Sequence, residues 1–415
     1  MNYKIKSEIG PLRFVVTHKP GYEHHFITPS HLIEKIEKDN KIADNPDYLL
    51  FDDIIQIKKA QDEHNQLYKI LHHFTDGNSY EFTDMLEYLL DDKTIRRNLI
   101  KDCANFEIKK YDNKIDQNEL FNIESNSLVK VLLSGYLNEK KVFSYPIPNL
   151  IFTRDIAVCI GNTILITWSK KDVRKRENIL SKFVFSNFKA FKNMKIYNFH
   201  EEHPNLSVEG GDILIFDQKR ICIGVSERTP IDSIKKLTKL FFNEGFETIY
   251  AIDLPKKRAL MHLDTIFTRI SINEVLIFPP MIDNKISNKT YIYKNNSKPI
   301  ISQDNLVDIL KKDGLELTAI NCGGNSDIMQ EREQWTDGAN SFALDSGKII
   351  SYECNEYTLK ELNKSGYDII PSQDYLKDYK NFNNSNKKFV ITLKCSELIR
   401  GRGGPRCLTM PIFRI

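Results

Sequence analysis

Residues 155–168 read DIAVCIGNTILITW, two apolar runs separated by Gly161-Asn162. A glycine-asparagine pair between β-branched runs predicts a tight hairpin, since both residue types tolerate the positive φ that such turns require. The pattern recurs in DILIFDQKRICIGVS and in DTIFTRISINEVLIFPP. It appears a fourth time in NSFALDSGKIISYE, turning at Ser346-Gly347. Four hairpins in one chain already argue against a single parallel sheet.

The segments downstream of the hairpins sharpen the pattern. After Thr229-Pro230, the apolar residues Ile234, Leu237, Leu240 and Phe241 fall at helical spacing until Gly245 ends the run. Gly314 and Gly366 stop two further helices in the same way, and the strand-like segments FETIYAI, LELTAI and YDIIP come after the three stops. Hairpin, helix and strand in that order predict an α/β fold built from several ββαβ units. The spacing is irregular, so the repeat is topological.

Residues 71–141 break the scheme. FTDMLEYLLDD, TIRRNLIKDC and SLVKVLLSGYL read as short amphipathic helices without alternating strands, which predicts a helical insertion. The polar run KDYKNFNNSNKK at 377–388 reads as a flexible surface loop.

Composition limits the function classes. The chain has 415 residues, 41% hydrophobic and 28% charged, with a formal charge of +3. That near-balance gives no support to a dedicated nucleic-acid binder. MNYKIKSEIGPLRF lacks an apolar signal core, and no apolar run approaches membrane-spanning length. Seven scattered cysteines without CxxC pairs point to a reducing compartment rather than a disulfide framework or a zinc site. The expectation is a cytoplasmic, metal-free protein.

Polar clusters precede the hairpins: PNLIFTRD at 148–155, SVEGGD at 207–212, MHLD at 261–264 and EREQWTDGAN at 331–340. If the units surround a pseudo-axis, Asp155, Glu209, His262 and Asp264 converge on one mouth. Bland readings remain open for each of them. Asp155 suits a cap, the Glu209–Asp212 run suits a turn, and a core histidine with a carboxylate partner suits the HxD of His262 and Asp264. On a strand, that HxD would place both side chains on one face. A metal site would need further ligands.

The last cluster, LIRGRGGPRCLTM at 398–410, surrounds Cys407 with three arginines and three glycines. No GK[ST] comes after the glycines, so a phosphate loop fails. One RGG without aromatic partners is a weak RNA tract. Packing cysteine and activated nucleophile both remain, with Arg400, Arg402 and Arg406 expected to favour the thiolate.

Taken in order, PNLIFTRD, SVEGGD, LMHLDT, GGNSDIMQEREQWTDGAN and SELIRGRGGPRCLTMP resemble the arginine deiminase family. The likeness runs from RFVVTHKPG and YLLFDDI to the cysteine motif. EGGD alone is shared across guanidine-modifying enzymes; the full series with the helical insertion is specific. The resemblance implies a five-bladed α/β propeller over 1–70 and 142–415, with 71–141 inserted. It implies hydrolysis of L-arginine to citrulline and ammonia without cofactor or metal, in a homo-oligomer.

Roles carry over where motifs match. Cys407 would be the nucleophile, Asp155 and Asp264 would clamp the guanidinium, and His262 would shuttle protons with Glu209 orienting it. Asn149, Arg174 and Arg228 would hold the substrate carboxylate, with Phe152 along its stem. Leu50, Gly401 and Arg402 would close over the site. The chain departs from the family at Ile156, often proline, and at Cys354 and Leu359, often arginine and asparagine. An amidinotransferase is the nearest rival, and 71–141 with REQW at 332–335 weighs against it. Agmatine deiminase would have no use for Arg174 and Arg228. A silent relative would be free to lose Cys407, His262, Glu209, Asp155 and Asp264.

Overall fold

The computed structural model describes residues 3–38, 41–282 and 289–415. The opening hairpin forms as read: Ala157–Ile160 pairs antiparallel with Thr163–Ile166 around Gly161 at φ +56°. Glu244 caps the turn, accepting from the Asn162 amide (2.8 Å) and the Thr163 hydroxyl (2.7 Å). The chain then forms helix Lys175–Asn187 and returns as strand Lys195–Asn198, parallel to Thr163–Ile166.

The same order recurs. Ile213–Leu214 and Arg220–Val225 form a hairpin, helix Ile231–Asn243 comes next, and Thr248–Asp253 pairs parallel to the second strand. Phe267–Arg269, Glu274–Ile277, helix Leu306–Lys312 and Thr318–Asn321 repeat it. Phe342–Asp345, Lys348–Tyr352 and helix Glu356–Lys364 start a fourth unit.

A fifth unit is assembled from sequence-distant parts. Met410–Arg414 pairs antiparallel with Leu12–Thr17, helix Ile57–Phe74 comes next, and Ser79–Glu81 pairs parallel to Leu12–Thr17. The described residues thus form a mixed α/β fold with five sheets of three to five strands and two two-stranded ribbons.

Three details differ from the sequence reading. In the fourth sheet, the strand beside Lys348–Tyr352 is Phe389–Leu393, and Asp368–Pro371 is pushed to the edge. FVITL is buried throughout whereas DIIP is largely exposed, so the more apolar run takes the centre. Within 377–388, residues Tyr379–Asn384 form a helical turn. Tyr379 stacks on His73 and Phe382 packs against Tyr375 and Phe389, an i,i+3 pair hidden in a polar run. Finally, the span 71–141 is not wholly helical: it opens on the end of helix Ile57–Phe74, Ser79–Glu81 belongs to the fifth sheet, and four further helices lie between Phe82 and Ser134.

Those helices share a hydrophobic cluster with the first two sheets, through Leu86, Leu132, Val158, Leu180 and Ile223. A buried Arg176–Glu107 ion pair (3.3 Å) crosses the same contact. No helix among the described residues is long and apolar enough to cross a membrane.

Candidate functional site

The first three hairpins and the strand at 410–414 are preceded by a short turn of helix or a 3-10 segment, the fourth hairpin by helix Asp327–Trp335, and these segments bring the polar clusters together. Pro148–Ile151 and Thr153–Ile156 lead into the first sheet, Gly210–Asp212 into the second, Leu263–Thr265 into the third and Leu398–Gly401 towards the strand at 410–414. His262 and Asp264 therefore do not share one face of a strand as expected. His262 caps the 3-10 turn that contains Asp264, and the strand begins only at Phe267.

At the centre, His262 Nε2 lies 2.9 Å from Glu209 Oε2, and Nδ1 lies 3.7 Å from Asp155 Oδ1. The Gly211 amide donates to the same Asp155 oxygen at 3.1 Å. A Cβ on Gly211 would stand 2.5 Å from His262 Nδ1, so only glycine allows this approach. Burial alone would lower the His262 pKa; Asp155 and Glu209 outweigh it and raise the group to about 9. Burial works in the other direction on Glu209, yet Arg228, Arg174 and His262 hold it well below the usual carboxylate range.

Arg174 completes this cluster. Its Nη1 donates to Asp155 Oδ2 (3.0 Å) and Glu209 Oε2 (3.4 Å), and its Nε donates to Glu177 Oε2 (3.1 Å). Arg228 stands 3.8 Å from the other Glu209 oxygen, its loop held by Ser207 and Ser226. Asp155, Glu209 and His262 offer ligand atoms within 4.8 Å of one another, as a cation site would. A guanidinium already supplies the positive charge there.

The second half of the site lies on the C-terminal segment. Cys407 Sγ donates towards Asp264 Oδ2 at 3.8 Å, and its amide donates to Asn340 Oδ1 at 3.1 Å. The expected activation by neighbouring arginines is outweighed. Burial, followed by Asp264, Asp337 and Asp155, pushes the Cys407 thiol well above its ordinary pKa, against the lowering effect of Arg406. Arg406 is occupied by Glu8 and Asp264, and Arg400 by Asp53 and Glu397. Arg402, at φ +60°, lies 3.7 Å over the Trp335 ring, its three guanidinium nitrogens without hydrogen-bond partners.

Leu50, Asn149, Phe152, Asp155, Arg174, Arg228, His262, Arg402 and Cys407 line one cavity of about 20 Å³. That is room for roughly one water. Glu209 stands behind His262 and Asp264 behind Cys407. Gly401 does not reach the cavity; it packs on the Phe51 ring. Asn149 donates to the Leu49 carbonyl (2.6 Å).

Sequence reasoning passed over Arg258, Met261, Thr265 and Asp337, which also line the cavity. Arg258 ties down the Leu50 carbonyl (2.7 Å) and Asp52 (3.0 Å). Burial raises Asp337 to about 7, and one of its oxygens has no partner. Its signal was present in the EREQWTDGAN cluster; Arg258 had none beyond its position four residues before His262. A larger cavity, about 560 Å³, lies elsewhere, between helix Lys93–Tyr111 and the first sheet around Trp168 and His200.

The arginine deiminase family model matches residues 109–414. An arginine deiminase from Mycoplasma capricolum is 32% identical, over 98% of this chain and 96% of the relative. One from Listeria monocytogenes is 30% identical, over 99% of this chain and 97% of its own length. Among solved structures, a dimethylarginine dimethylaminohydrolase variant superposes with a TM-score of 0.50 over 96% of this chain and 99% of that one, at 13% identity.

Proposed function

The chain belongs to the arginine deiminase family, and from that membership we propose that it hydrolyses L-arginine to L-citrulline and ammonia through covalent catalysis by Cys407. The observation that carries this reading is the Arg174 guanidinium, cradled by Asp155 and Glu209 beside His262. Carboxylates that hold one guanidinium in a dry site can hold another in the same planar geometry.

Arginine then enters with its guanidinium between Asp155, Asp264 and Glu209, and Arg174 leaves that position for the substrate carboxylate, joined by Arg228 and Asn149. The incoming cation supplies what the local arginines do not: a positive charge beside the buried thiol, which favours the thiolate. The proton passes towards Asp264, to which the thiol already points. Sulfur attacks the guanidinium carbon. His262, protonated through neutrality, gives its proton to the departing nitrogen, the C–N bond breaks, and ammonia leaves a thiouronium on Cys407. The now neutral His262 takes a proton from water, which attacks the same carbon. The C–S bond breaks, and citrulline and free Cys407 result. The tight cavity calls for motion, and Arg402 with its unpaired nitrogens over Trp335 is read as the gate, with Leu50 and Gly401 at its hinges.

The same reading takes the five sheets as blades of a five-bladed α/β propeller of ββαβ units with inserted helices, which the pairing of Met410–Arg414 with Leu12–Thr17 supports. It describes a cytoplasmic homo-oligomer, to be checked by light scattering on the purified protein. The decisive assay incubates the protein with L-arginine, with agmatine, and with arginine plus glycine. Citrulline and ammonia in equal amounts from arginine alone are expected; no citrulline from arginine overturns the proposal.

A further inference from the structure

Of the seven cysteines, only Cys354 is exposed, and its sulfur does not stand alone. The buried Cys395 thiol donates to it across 3.2 Å. The placement comes from the sheet. Tyr352 and Leu393 are the last registered pair of two parallel strands, and each cysteine lies two residues beyond. The Glu353 amide bonds the Leu393 carbonyl (3.0 Å), which keeps the two chain segments side by side past the ladder.

Cys395 opens the segment that ends at Cys407. Glu63 accepts from the Ser396 hydroxyl (2.6 Å) and the Leu398 amide (2.9 Å), and Tyr352 donates to the Gly403 carbonyl (2.8 Å). Between these anchors lies Arg402, which the proposed function reads as the gate over Trp335. Reactivity is graded in the right sense. The hydrogen bond from Cys395 lowers the Cys354 pKa, whereas burial raises Cys103, Cys159, Cys222 and Cys322, and Cys407 is raised well above its ordinary value. An oxidant thus meets Cys354 first.

We propose that Cys354 and Cys395 form a reversible dithiol–disulfide site that restrains the segment carrying Arg402 and Cys407. With a peroxide as oxidant, Cys354 sulfur attacks one oxygen, the O–O bond breaks, and a sulfenic acid and one water form. Cys395 sulfur then displaces the hydroxyl from Cys354; the S–S bond forms, the S–O bond breaks, and the thiol proton leaves with the hydroxyl as a second water. Two thiols lose two electrons to one peroxide. A dithiol reductant reverses the change.

The test treats the folded protein with a small excess of hydrogen peroxide. Digestion without reductant is expected to yield one peptide pair joined through Cys354 and Cys395, two hydrogen masses lighter than its separate halves, and dithiothreitol should separate it. Arginine turnover should fall by about 100-fold, the scale of a misplaced catalytic segment, and recover with dithiothreitol. Cys354→Ser should keep basal turnover and lose the sensitivity. Absence of the joined peptide overturns the site. A joined peptide with unchanged turnover, or equal inactivation of Cys354→Ser, overturns the restraint. The restraint rests on the deiminase reading, but the crosslink is read by mass and stands or falls without it.

Discussion

Arg406 and Arg174 are both buried and both face carboxylates, and they are built differently. Arg406 reaches Glu8 through Nε (3.1 Å) and Nη2 (3.0 Å), Asp264 through Nη1 (2.8 Å) and the Ile213 carbonyl through Nη2 (2.9 Å). It ties the strand Met410–Arg414, the N-terminal segment and the second and third sheets together. Arg174 meets Asp155, Glu209 and Glu177; its Nη2 lies 3.1 Å from Glu177 Oε2 without hydrogen-bond geometry, and the side chain lines the cavity. A guanidinium with all three nitrogens bonded is framework, because all of those bonds would be lost by moving. A partly satisfied one beside a void can exchange its partners for a ligand. Cys407 hangs between the two clusters, next to Arg406 in sequence and bonded towards Asp264.

The contrast between the two clusters breaks first at Cys407. Cys407→Ser should lower turnover by about 10⁴-fold or more, as loss of a covalent nucleophile does, while circular dichroism and the urea midpoint stay near wild type. An active serine variant would remove Cys407 as nucleophile. Next comes the framework arginine. Arg406→Leu leaves Glu8 and Asp264 buried without their cation and should cost about 3–5 kcal/mol of stability, read from urea unfolding. Arg174→Ala should cost less, since His262 and Arg228 still face Glu209, but should raise KM for arginine by about 10-fold or more. If Arg174→Ala unfolds as readily as Arg406→Leu, the division into framework and exchangeable arginines fails.

Much of the framework was legible because it rests on local chemistry. Gly161-Asn162 and Ser346-Gly347 mark turns, and Gly245, Gly314 and Gly366 mark helix ends with positive φ. The site clusters were legible as residue types, and their convergence only on the condition that the units surround a pseudo-axis, because it is set by strand pairings between segments hundreds of residues apart. Glu8 carried no signal, as one acid in SEIGPLRF, yet it is the main partner of Arg406. The thiolate expectation failed for a physical reason. Counting arginines near Cys407 ignores that carboxylates from other segments occupy Arg400 and Arg406, and that Arg402 turns to Trp335. The HxD reading failed because the chain makes a 3-10 turn before its strand starts.

The smallest expected effects lie in pH, where the two clusters should fail at opposite ends. Burial opposes ionisation of Glu8, but Arg406 and Arg154 win and lower its pKa to about 2 from 4.5. The native state therefore binds fewer protons at Glu8 than the unfolded chain. Its contribution is present above about 4.5 and is lost as pH falls towards about 2. His262 is raised from 6.5 to about 9, so its contribution is present below about 6.5 and is lost as pH rises through about 9. Turnover should accordingly fall on an alkaline limb near 9, where the proton for the leaving nitrogen is gone. Many carboxylates share in acid unfolding, so the informative quantity is a difference. Glu8→Gln should show a shallower loss of urea midpoint between pH 4.5 and 2 than wild type while its alkaline limb of turnover stays in place. An acid limb identical in both proteins would mean that Glu8 does not hold Arg406 as an ionised partner, and the framework cluster would lose its anchor.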